Sequence, residues 1–341
     1  MVLWMEMNLI VFPIEEKATA GDQTAASIYK KGTGTFLRFI GNICRLSLHR
    51  RGFKRQVLEV VDWMEIGLST GILYKSDLIE SLQLIKEAGF DNIEVWARIG
   101  KEGKWIHYDY HNWDYTRKLK EKLKELTLRV VSLHAPFSEE LDISQVEEEK
   151  RAFAISEIKK AIDVLEFLEG NILVFHPSTA SSHFDNLTQK MYRLSQAKKS
   201  IDELLKYCQD KPIRLALENQ LPHILCGYSV DLLKLIWEIN SQKVGICLDT
   251  SHANLAENVN DVVKKFKDWI VSLHVSDNFG TSDDHNIPGI GNINWQIFVQ
   301  TLKLVKYEGV FMLELLEQGK GWDVQKVLKE AIQSVKQIHG L

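Results

Sequence analysis

The sequence lacks any apolar segment near the length of about 20 residues that a membrane-spanning helix needs. Its opening, MVLWMEMNLIVFPIEE, mixes glutamates into an apolar stretch and has none of the basic residues that begin a secretory signal peptide. Cysteine is scarce, and Cys44, Cys208, Cys226 and Cys247 show neither the paired spacing of a metal site nor a disulfide framework. These absences favour a cytoplasmic protein without a membrane span.

An excess of positive charge is also absent from most of the chain. Residues 1–63 carry nine Lys and Arg against six Asp and Glu, whereas residues 64–341 carry 33 against 40, a net charge of −7. Proteins that bind the phosphate backbone of nucleic acids normally present a basic surface. The acidic body therefore argues against a nuclease, although it leaves room for a local basic groove.

The chain does contain a regular alternation of short β-rich runs and amphipathic helical stretches from Met64 onward. With 341 residues, 45% hydrophobic and 26% charged, it can bury a large core. The apolar residues of segment 77–89 recur three and four apart, and Gly89 is suited to end that helix. Further helices are predicted at 151–170, 229–240 and 322–338. The predicted strands are residues 65–69, 92–97, 129–135, 172–177, 214–219, 244–250, 270–276 and 309–315.

Eight strands that each precede a helix or a long loop predict a (β/α)8 TIM barrel over residues 64–341, within the α/β class. The strands are apolar throughout, which is typical of a parallel sheet covered by helices. A doubly wound open sheet, the competing architecture, would place its site at one switch point and would not draw polar residues from six strands.

Residues 1–63 do not share this pattern and are predicted to be a poorly structured N-terminal extension. The basic, weakly amphipathic stretch at 30–55 is compatible with a membrane-surface or targeting helix. The alternative is a disordered segment, or upstream sequence that is not part of the native product. We favour this alternative because MEIGLST, beginning at Met64, is how a barrel of this kind is expected to start.

Six of the strands deliver a histidine or a carboxylate near their C-terminal ends, in SLHAP, VFHP, ALEN, CLDTSHA, SLHVSD and FMLEL. Since these ends converge at one face of a barrel, the side chains should meet in one pocket. His252 follows Asp249 by three residues, and in the loop 278–292 alternation directs Asp283 and His285 to one side. The predicted ligands are His134, His176, Glu218, Asp249, His252, His274, Asp283, His285 and Glu314.

Imidazole and carboxylate ligands without thiolate suit zinc or manganese and argue against a sulfur-ligated structural zinc. One to three divalent ions are expected. Nine ligands exceed the needs of one ion, so two or three ions can be held, with carboxylates that bridge metals about 3.5–4 Å apart. The alternative is a set of packed or paired core polar groups. That alternative is weakest for Glu218, Asp249, His274 and Glu314, because an uncompensated charge inside a barrel is costly.

Glu94 and Trp96, late in the second strand, are candidate substrate contacts. A structural ion pair of Glu94 and simple packing of Trp96 are the open alternatives. Substrate specificity should rest on the strand-to-helix loops, chiefly residues 96–113 and 177–189.

With these residues in this order, the chain resembles the xylose isomerase-like barrel superfamily, which includes endonuclease IV, tagatose-type epimerases and inosose-processing enzymes. The resemblance covers about residues 64–340 and rests on LALEN, GICLDTSHA, SLHVSDN and DDHNIPGIGNINW. It implies an enzyme that acts on a small sugar or sugar phosphate or, in the endonuclease branch alone, on DNA. A non-catalytic sugar-binding barrel is the third alternative, and a homo-oligomer is compatible with each.

The epimerase and isomerase members imply a single-ion site made of Glu218, Asp249, His274 and Glu314. The resemblance implies that the metal binds a carbonyl and the neighbouring hydroxyl of the substrate, while a proton is moved next to the carbonyl. Glu218 and Glu314 would lie on opposite sides of the reacting carbon as catalytic bases. His252 would hydrogen-bond a substrate oxygen. This isomerase or epimerase activity is the favoured expectation.

The endonuclease IV members imply that all nine residues hold three zinc ions and that the enzyme cleaves DNA at abasic sites. Three departures weaken this match: Phe137 stands where the endonuclease pattern has a tyrosine, the lysine that normally follows SDN is missing, and the acidic body fits poorly with duplex binding. Sugar isomerase-like relatives keep the extra histidines as well, so the nine residues alone do not identify a nuclease.

Overall fold

The computed structural model describes residues 64–97, 107–183, 187–316 and 323–340. The expectations for residues 1–63 lie outside these described ranges. All eight predicted strands are present, shortened by one or two residues at one or both ends. They are β1 (Ile66–Ser69), β2 (Asn92–Trp96), β3 (Arg129–His134), β4 (Ile172–Phe175), β5 (Arg214–Glu218), β6 (Val244–Asp249), β7 (Ile270–His274) and β8 (Phe311–Leu313).

The strands pair in parallel in the order β7-β6-β5-β4-β3-β2-β1-β8. The ring closes just beyond β7, where the Val275 N–H donates to the Met312 carbonyl at 2.8 Å and the Val275 carbonyl accepts from the Glu314 N–H at 3.1 Å. The predicted (β/α)8 barrel is therefore confirmed. Closure brings the carboxyl ends of all eight strands around one mouth.

Each strand is followed by a helix that packs around the barrel, and β6 is followed by two. The first helix begins after Asp77, which accepts the Glu80 N–H at 3.1 Å, and ends at Gly89, whose φ of 102° favours glycine. None of the helices in the described ranges combines the length and the apolar character of a membrane span. The helices are α1 (Leu78–Ala88), α2 (Trp113–Glu125), α3 (Glu148–Phe167), α4 (Leu187–Tyr207), α5 (Ser229–Ile239), α6 (Thr250–Ala256), α7 (Val259–Phe266), α8 (Trp295–Leu304) and α9 (Val324–His339).

On the side formed by β4 to β7, the barrel interior beneath the mouth is filled by small and medium apolar side chains. Val174, Ala216, Cys247 and Val271, from four consecutive strands, form one buried cluster. Ala216 lies two residues before Glu218 and on the same face of β5, so this cluster lies directly below the polar layer. On this side of the barrel, an apolar layer therefore supports the polar residues at the strand ends.

Helix α8 offers a matched test of where the core lies. Leu302 is fully buried, whereas Leu304 is 80% exposed. We expect Leu302→Ala to lower the free energy of unfolding by about 2–5 kcal/mol, because it leaves a cavity in the core. Leu304→Ala should change it by less than about 0.5 kcal/mol. Urea denaturation followed by circular dichroism measures both values, and equal losses would contradict the packing of α8 on the barrel.

Candidate functional site

The polar side chains predicted at the strand ends do lie around the mouth of the barrel. His134, Glu218, Asp249 and His274 are the last residues of β3, β5, β6 and β7, and Glu314 directly follows β8. All five are at most 7% exposed. Closure of the barrel brings them together although they are far apart in the sequence.

A cavity of about 530 Å³ opens at this mouth. Asp249 and His274, which do not line it, come within 4.8 Å of Glu218 and Glu314 beneath it. The predicted ligands that line it are His134, His176, Glu218, His252, Asp283, His285 and Glu314. The rest of its wall, within the described ranges, is formed by Tyr74, Trp96, Phe137, Gln220, Leu221 and Leu316.

Glu218 is the centre of the arrangement. Its Oε2 lies 3.0 Å from Nε2 of His134 and 3.1 Å from Nε2 of His176. Its Oε1 lies 3.3 Å from Nδ1 of His274 and 3.5 Å from Nδ1 of His252. The four imidazoles come from β3, the segment after β4, β7 and α6, so one carboxylate connects four segments of the rim.

Main-chain carbonyls orient three of the histidine rings. Their Nδ1 atoms lie close to carbonyl oxygens, His134 to Ala135 at 2.8 Å, His252 to Asn219 at 2.8 Å and His285 to Glu314 at 3.0 Å. A carbonyl only accepts, so Nδ1 donates and the lone pair of the neutral ring lies on Nε2. Each Nε2 faces a carboxylate oxygen across 3.0–3.5 Å. Facing lone pairs repel unless a proton or a cation lies between them, and this is the arrangement of a metal-ligating histidine.

Buried carboxylate oxygens also point to a cation. Oδ2 of Asp249 and Oδ1 of Asp283 are buried without a hydrogen-bond partner among the described residues, which is costly for an acceptor. Imidazole and carboxylate donors fit a divalent ion, and they suit zinc and manganese alike. Three groups bring one donor atom of each member within 4.8 Å: His134–Glu218–His274, Glu218–Asp249–His274–Glu314 and His252–Asp283–His285.

The loop between β7 and α8, which carries two members of the third group, is held by Asp277. Its buried carboxylate accepts the Gly289 N–H at 2.8 Å and the Trp295 indole N–H at 2.7 Å. A Cβ at Gly291 would lie 2.1 Å from Oδ1 of Asp277, so the close approach of the chain requires a glycine there. The loop is therefore fixed by one carboxylate at its base.

The two glutamates of the four-residue group are held ionised. Burial opposes ionisation of Glu314, but the neighbouring His274 lowers its pKa to about 2. Burial likewise opposes ionisation of Glu218, but His274 and His176 lower its pKa well below the usual value. Both side chains are thus carboxylates at neutral pH, available as metal ligands or as proton acceptors.

Glu94 lies below the cavity and not in its wall. It is fully buried, accepts the Ser132 hydroxyl at 2.8 Å and lies 3.1 Å from Nε2 of His274. Glu94 therefore contacts His274, a predicted metal ligand, and its role as a substrate contact stays a prediction. Trp96 does line the cavity, with its ring 6.2 Å from that of Phe137, and its role as a substrate contact stays a prediction.

Some residues that shape the site were not predicted. Asn219 connects β5 to β6, since its Oδ1 accepts the Asp249 N–H at 2.8 Å and its Nδ2 donates to the Asp249 carbonyl at 3.0 Å. A signal for it existed, because it directly follows Glu218 in LALEN and a polar residue just past a barrel strand faces the mouth. No feature of the sequence distinguishes Leu221 or Leu316, which line the cavity, from core leucines.

Metal binding should compete with protons on the histidines. Burial alone would lower the pKa of His285, but Asp283 raises it to about 9, and Asp249 overcomes burial to raise that of His252 well above its usual value. A cation must displace these protons, so the affinity for Zn²⁺ or Mn²⁺ should rise as the pH increases from about 6.5 to 9. Calorimetry in two buffers of different ionisation enthalpy measures the affinity and the protons released. A pH-independent affinity without proton release would contradict this expectation.

Proteins similar in sequence to this chain include both epimerases and endonuclease 4-like proteins. An uncharacterised protein of Methanocaldococcus jannaschii is 28% identical over 281 residues, 80% of this chain and 91% of that protein. A D-psicose 3-epimerase of Enterocloster bolteae is 22% identical over 70% of this chain and 77% of that enzyme. A probable endonuclease 4 of Clostridium beijerinckii is 27% identical over 47% of this chain and 61% of that protein.

The solved structures agree with these relatives. A D-tagatose 3-epimerase-like protein is 26% identical with a TM-score of 0.68, covering 81% of this chain and 97% of that chain. An L-ribulose 3-epimerase shares the fold at 17% identity and a TM-score of 0.68, over 81% of this chain and 95% of that chain. The family described as xylose isomerase-like TIM barrel matches residues 82–338. The chain therefore belongs to the xylose isomerase-like TIM barrel family.

Proposed function

We propose that this chain is a divalent-metal-dependent sugar or sugar-phosphate isomerase or epimerase that transfers a proton next to a carbonyl. The observation that carries the proposal is the group Glu218–Asp249–His274–Glu314, in which two ionised carboxylates from well-separated strands approach one point. The D-psicose 3-epimerase among the relatives and the D-tagatose 3-epimerase-like protein among the solved structures support this class of reaction.

Proton transfer next to a carbonyl needs a base near the carbon and stabilisation of the charge that develops on oxygen. A divalent ion held by the four side chains would polarise the carbonyl and a neighbouring hydroxyl of the substrate. Glu218 and Glu314 enter the site from different sides of the barrel, so one can accept a proton from one face of the substrate while the other returns a proton to the opposite face. His252, in the cavity wall, would hydrogen-bond a substrate oxygen.

The cavity suits a small polar molecule. Its volume of about 530 Å³ lies within the range of about 300–1,000 Å³ typical of small-molecule sites. One part of the cavity wall is apolar and is formed by Trp96, Phe137 and Leu221, against which the C–H face of a sugar can pack. The carboxylates and imidazoles form the polar part of the wall. This combination supports a sugar as substrate.

An endonuclease IV-like zinc phosphodiesterase that cleaves DNA at abasic sites is the second candidate. It is favoured by the third group, His252–Asp283–His285, because a single-ion mechanism does not use that group as ligands. The net charge of −7 on residues 64–341 opposes it. Among the described residues that line the cavity there is also no Lys or Arg to attract a phosphate backbone.

Glu314→Gln tests the proton transfer. With ketoses, polyol ketones and sugar phosphates in D₂O, the unmodified chain should place deuterium on the carbon next to the carbonyl, and the variant should lower that rate by about 10²–10⁴-fold. Glu308→Gln, the same change at an exposed position before β8, is the matched control. NMR measures the exchange and elemental analysis the bound metal. Glu218 could still exchange the proton on its own face of the substrate, so conversion of substrate to product is followed in the same samples. Unchanged exchange together with unchanged conversion in Glu314→Gln would exclude Glu314 as a base.

Asp283→Asn separates the two candidate functions. Asp283 lies outside the four-residue group, so the variant should keep measurable sugar activity, whereas a three-ion phosphodiesterase should lose cleavage. The assays are deuterium exchange on the sugar panel and nicking of duplex DNA that carries one abasic site. Nicking that disappears with chelator and in Asp283→Asn would replace the proposal with the second candidate. Sugar binding without turnover, unaffected by metal removal, would indicate a non-catalytic sugar-binding barrel.

A further inference from the structure

The imidazole of His274 lies between carboxylates on both of its sides. Nδ1 is 3.3 Å from Glu218 and 3.1 Å from Glu314, the two glutamates of the four-residue group. Nε2 is 3.1 Å from Glu94 on the other side of the ring. Among the predicted ligands, the rings of His134, His252 and His285 are oriented by a main-chain carbonyl. His274 is instead oriented by a charged side chain, which a mutation can remove.

Glu94 is built into the barrel interior. It lies in the middle of β2, is 0% exposed and pairs in register with Ser132 of β3. Among the described residues, its hydrogen-bond partners are the hydroxyl of Ser132 and the ring of His274. A buried carboxylate is costly unless it is hydrogen-bonded or paired. The carboxylate of Glu94 therefore depends on its contacts with Ser132 and His274.

The contact with Glu94 selects the nitrogen that faces the ligand group. With a cation on the Nδ1 side of the ring, where Glu218 and Glu314 lie, the neutral ring carries its proton on Nε2, and the carboxylate of Glu94 accepts it. The lone pair on Nδ1 is then directed at Glu218 and Glu314, where a cation in the four-residue group would lie. A carboxylate behind a ligating imidazole fixes the ring and raises its strength as a donor.

We propose that Glu94 is a positioning residue that selects Nδ1 of His274 as the ligand atom and strengthens metal binding by the four-residue group. The proposal rests on the metal site and is independent of the reaction that the site performs. It replaces the substrate contact expected for Glu94 from the sequence, because Glu94 does not line the cavity.

Metal affinity of the metal-free protein is the first test, measured with Zn²⁺ or Mn²⁺ in competition with a chromogenic chelator. Glu94→Ala removes both the acceptor and the charge and should weaken binding by about 10- to 100-fold. Glu94→Gln keeps an acceptor oxygen without the charge, so its loss should be about 10-fold, the low end of that range. The matched control is Glu157→Gln. Glu157 is a buried glutamate that lies away from the mouth and accepts a hydrogen bond of 2.5 Å from the Tyr110 hydroxyl, so this variant should leave the metal affinity unchanged.

The ring tautomer of His274 is the second test, read from ¹⁵N-histidine NMR of the zinc-loaded protein. The unmodified chain should show Nε2 protonated, whereas Glu94→Ala should lose this fixed assignment. Circular dichroism checks that each variant is folded, and Glu94→Gln decides the matter where Glu94→Ala does not fold. A folded Glu94→Gln that binds metal as tightly as Glu157→Gln would overturn the proposal. So would a loss of turnover with unchanged affinity and tautomer, which would make Glu94 a substrate contact.

Discussion

The contact on which the site depends is the one between the buried carboxylate of Glu218 and the imidazoles around it. An ionised carboxylate that is 1% exposed is costly without compensation. Four ring nitrogens lie within 3.5 Å of Glu218, and they compensate its charge when protons or a cation lie between them and the carboxylate. Those rings belong to segments that meet only when the barrel closes in this register. Any cation bound by the folded site and not by the unfolded chain would add its binding free energy to the stability of the fold.

The sequence predicted the strands and the meeting of their polar end residues at one mouth, because each apolar run ends on a polar residue and barrel sites lie at those ends. It could not predict how deep a side chain lies. Trp96 pairs in register with His134 at the rim, whereas Glu94 pairs with Ser132 two residues earlier and lies one layer lower. Neither strand alone specifies the register between β2 and β3, so the sequence could not show that Glu94 lies below the layer of Trp96. Contacts made by loops, such as those of Asn219, also join segments that are distant in the chain and leave no periodic pattern.

The rim of this barrel supplies more metal-ligand donors than one ion uses, and the two candidate reactions differ in how they use the additional donors. The four-residue group, which includes Glu218 and Glu314, suffices to hold the single ion proposed for proton transfer next to a carbonyl. The third group and the imidazoles of His134 and His176 either complete further metal sites or hydrogen-bond a polyol substrate. The aromatic and aliphatic wall, the small volume and the acidic body favour the second use, since a sugar needs neither a basic groove nor an open surface.

The central claim is that the carboxylate of Glu218 organises a divalent-metal site. It is tested most directly by the metal content per chain, determined by elemental analysis of protein purified without added metal or chelator, beside that of Glu218→Gln. The account predicts at least one zinc or manganese ion in the unmodified chain and its loss in the variant. A single ion would point to the four-residue group, and close to three zinc ions would show all nine donors in use and favour phosphodiester hydrolysis. An unmodified chain that is free of metal and takes up none on dialysis against zinc or manganese would contradict the account.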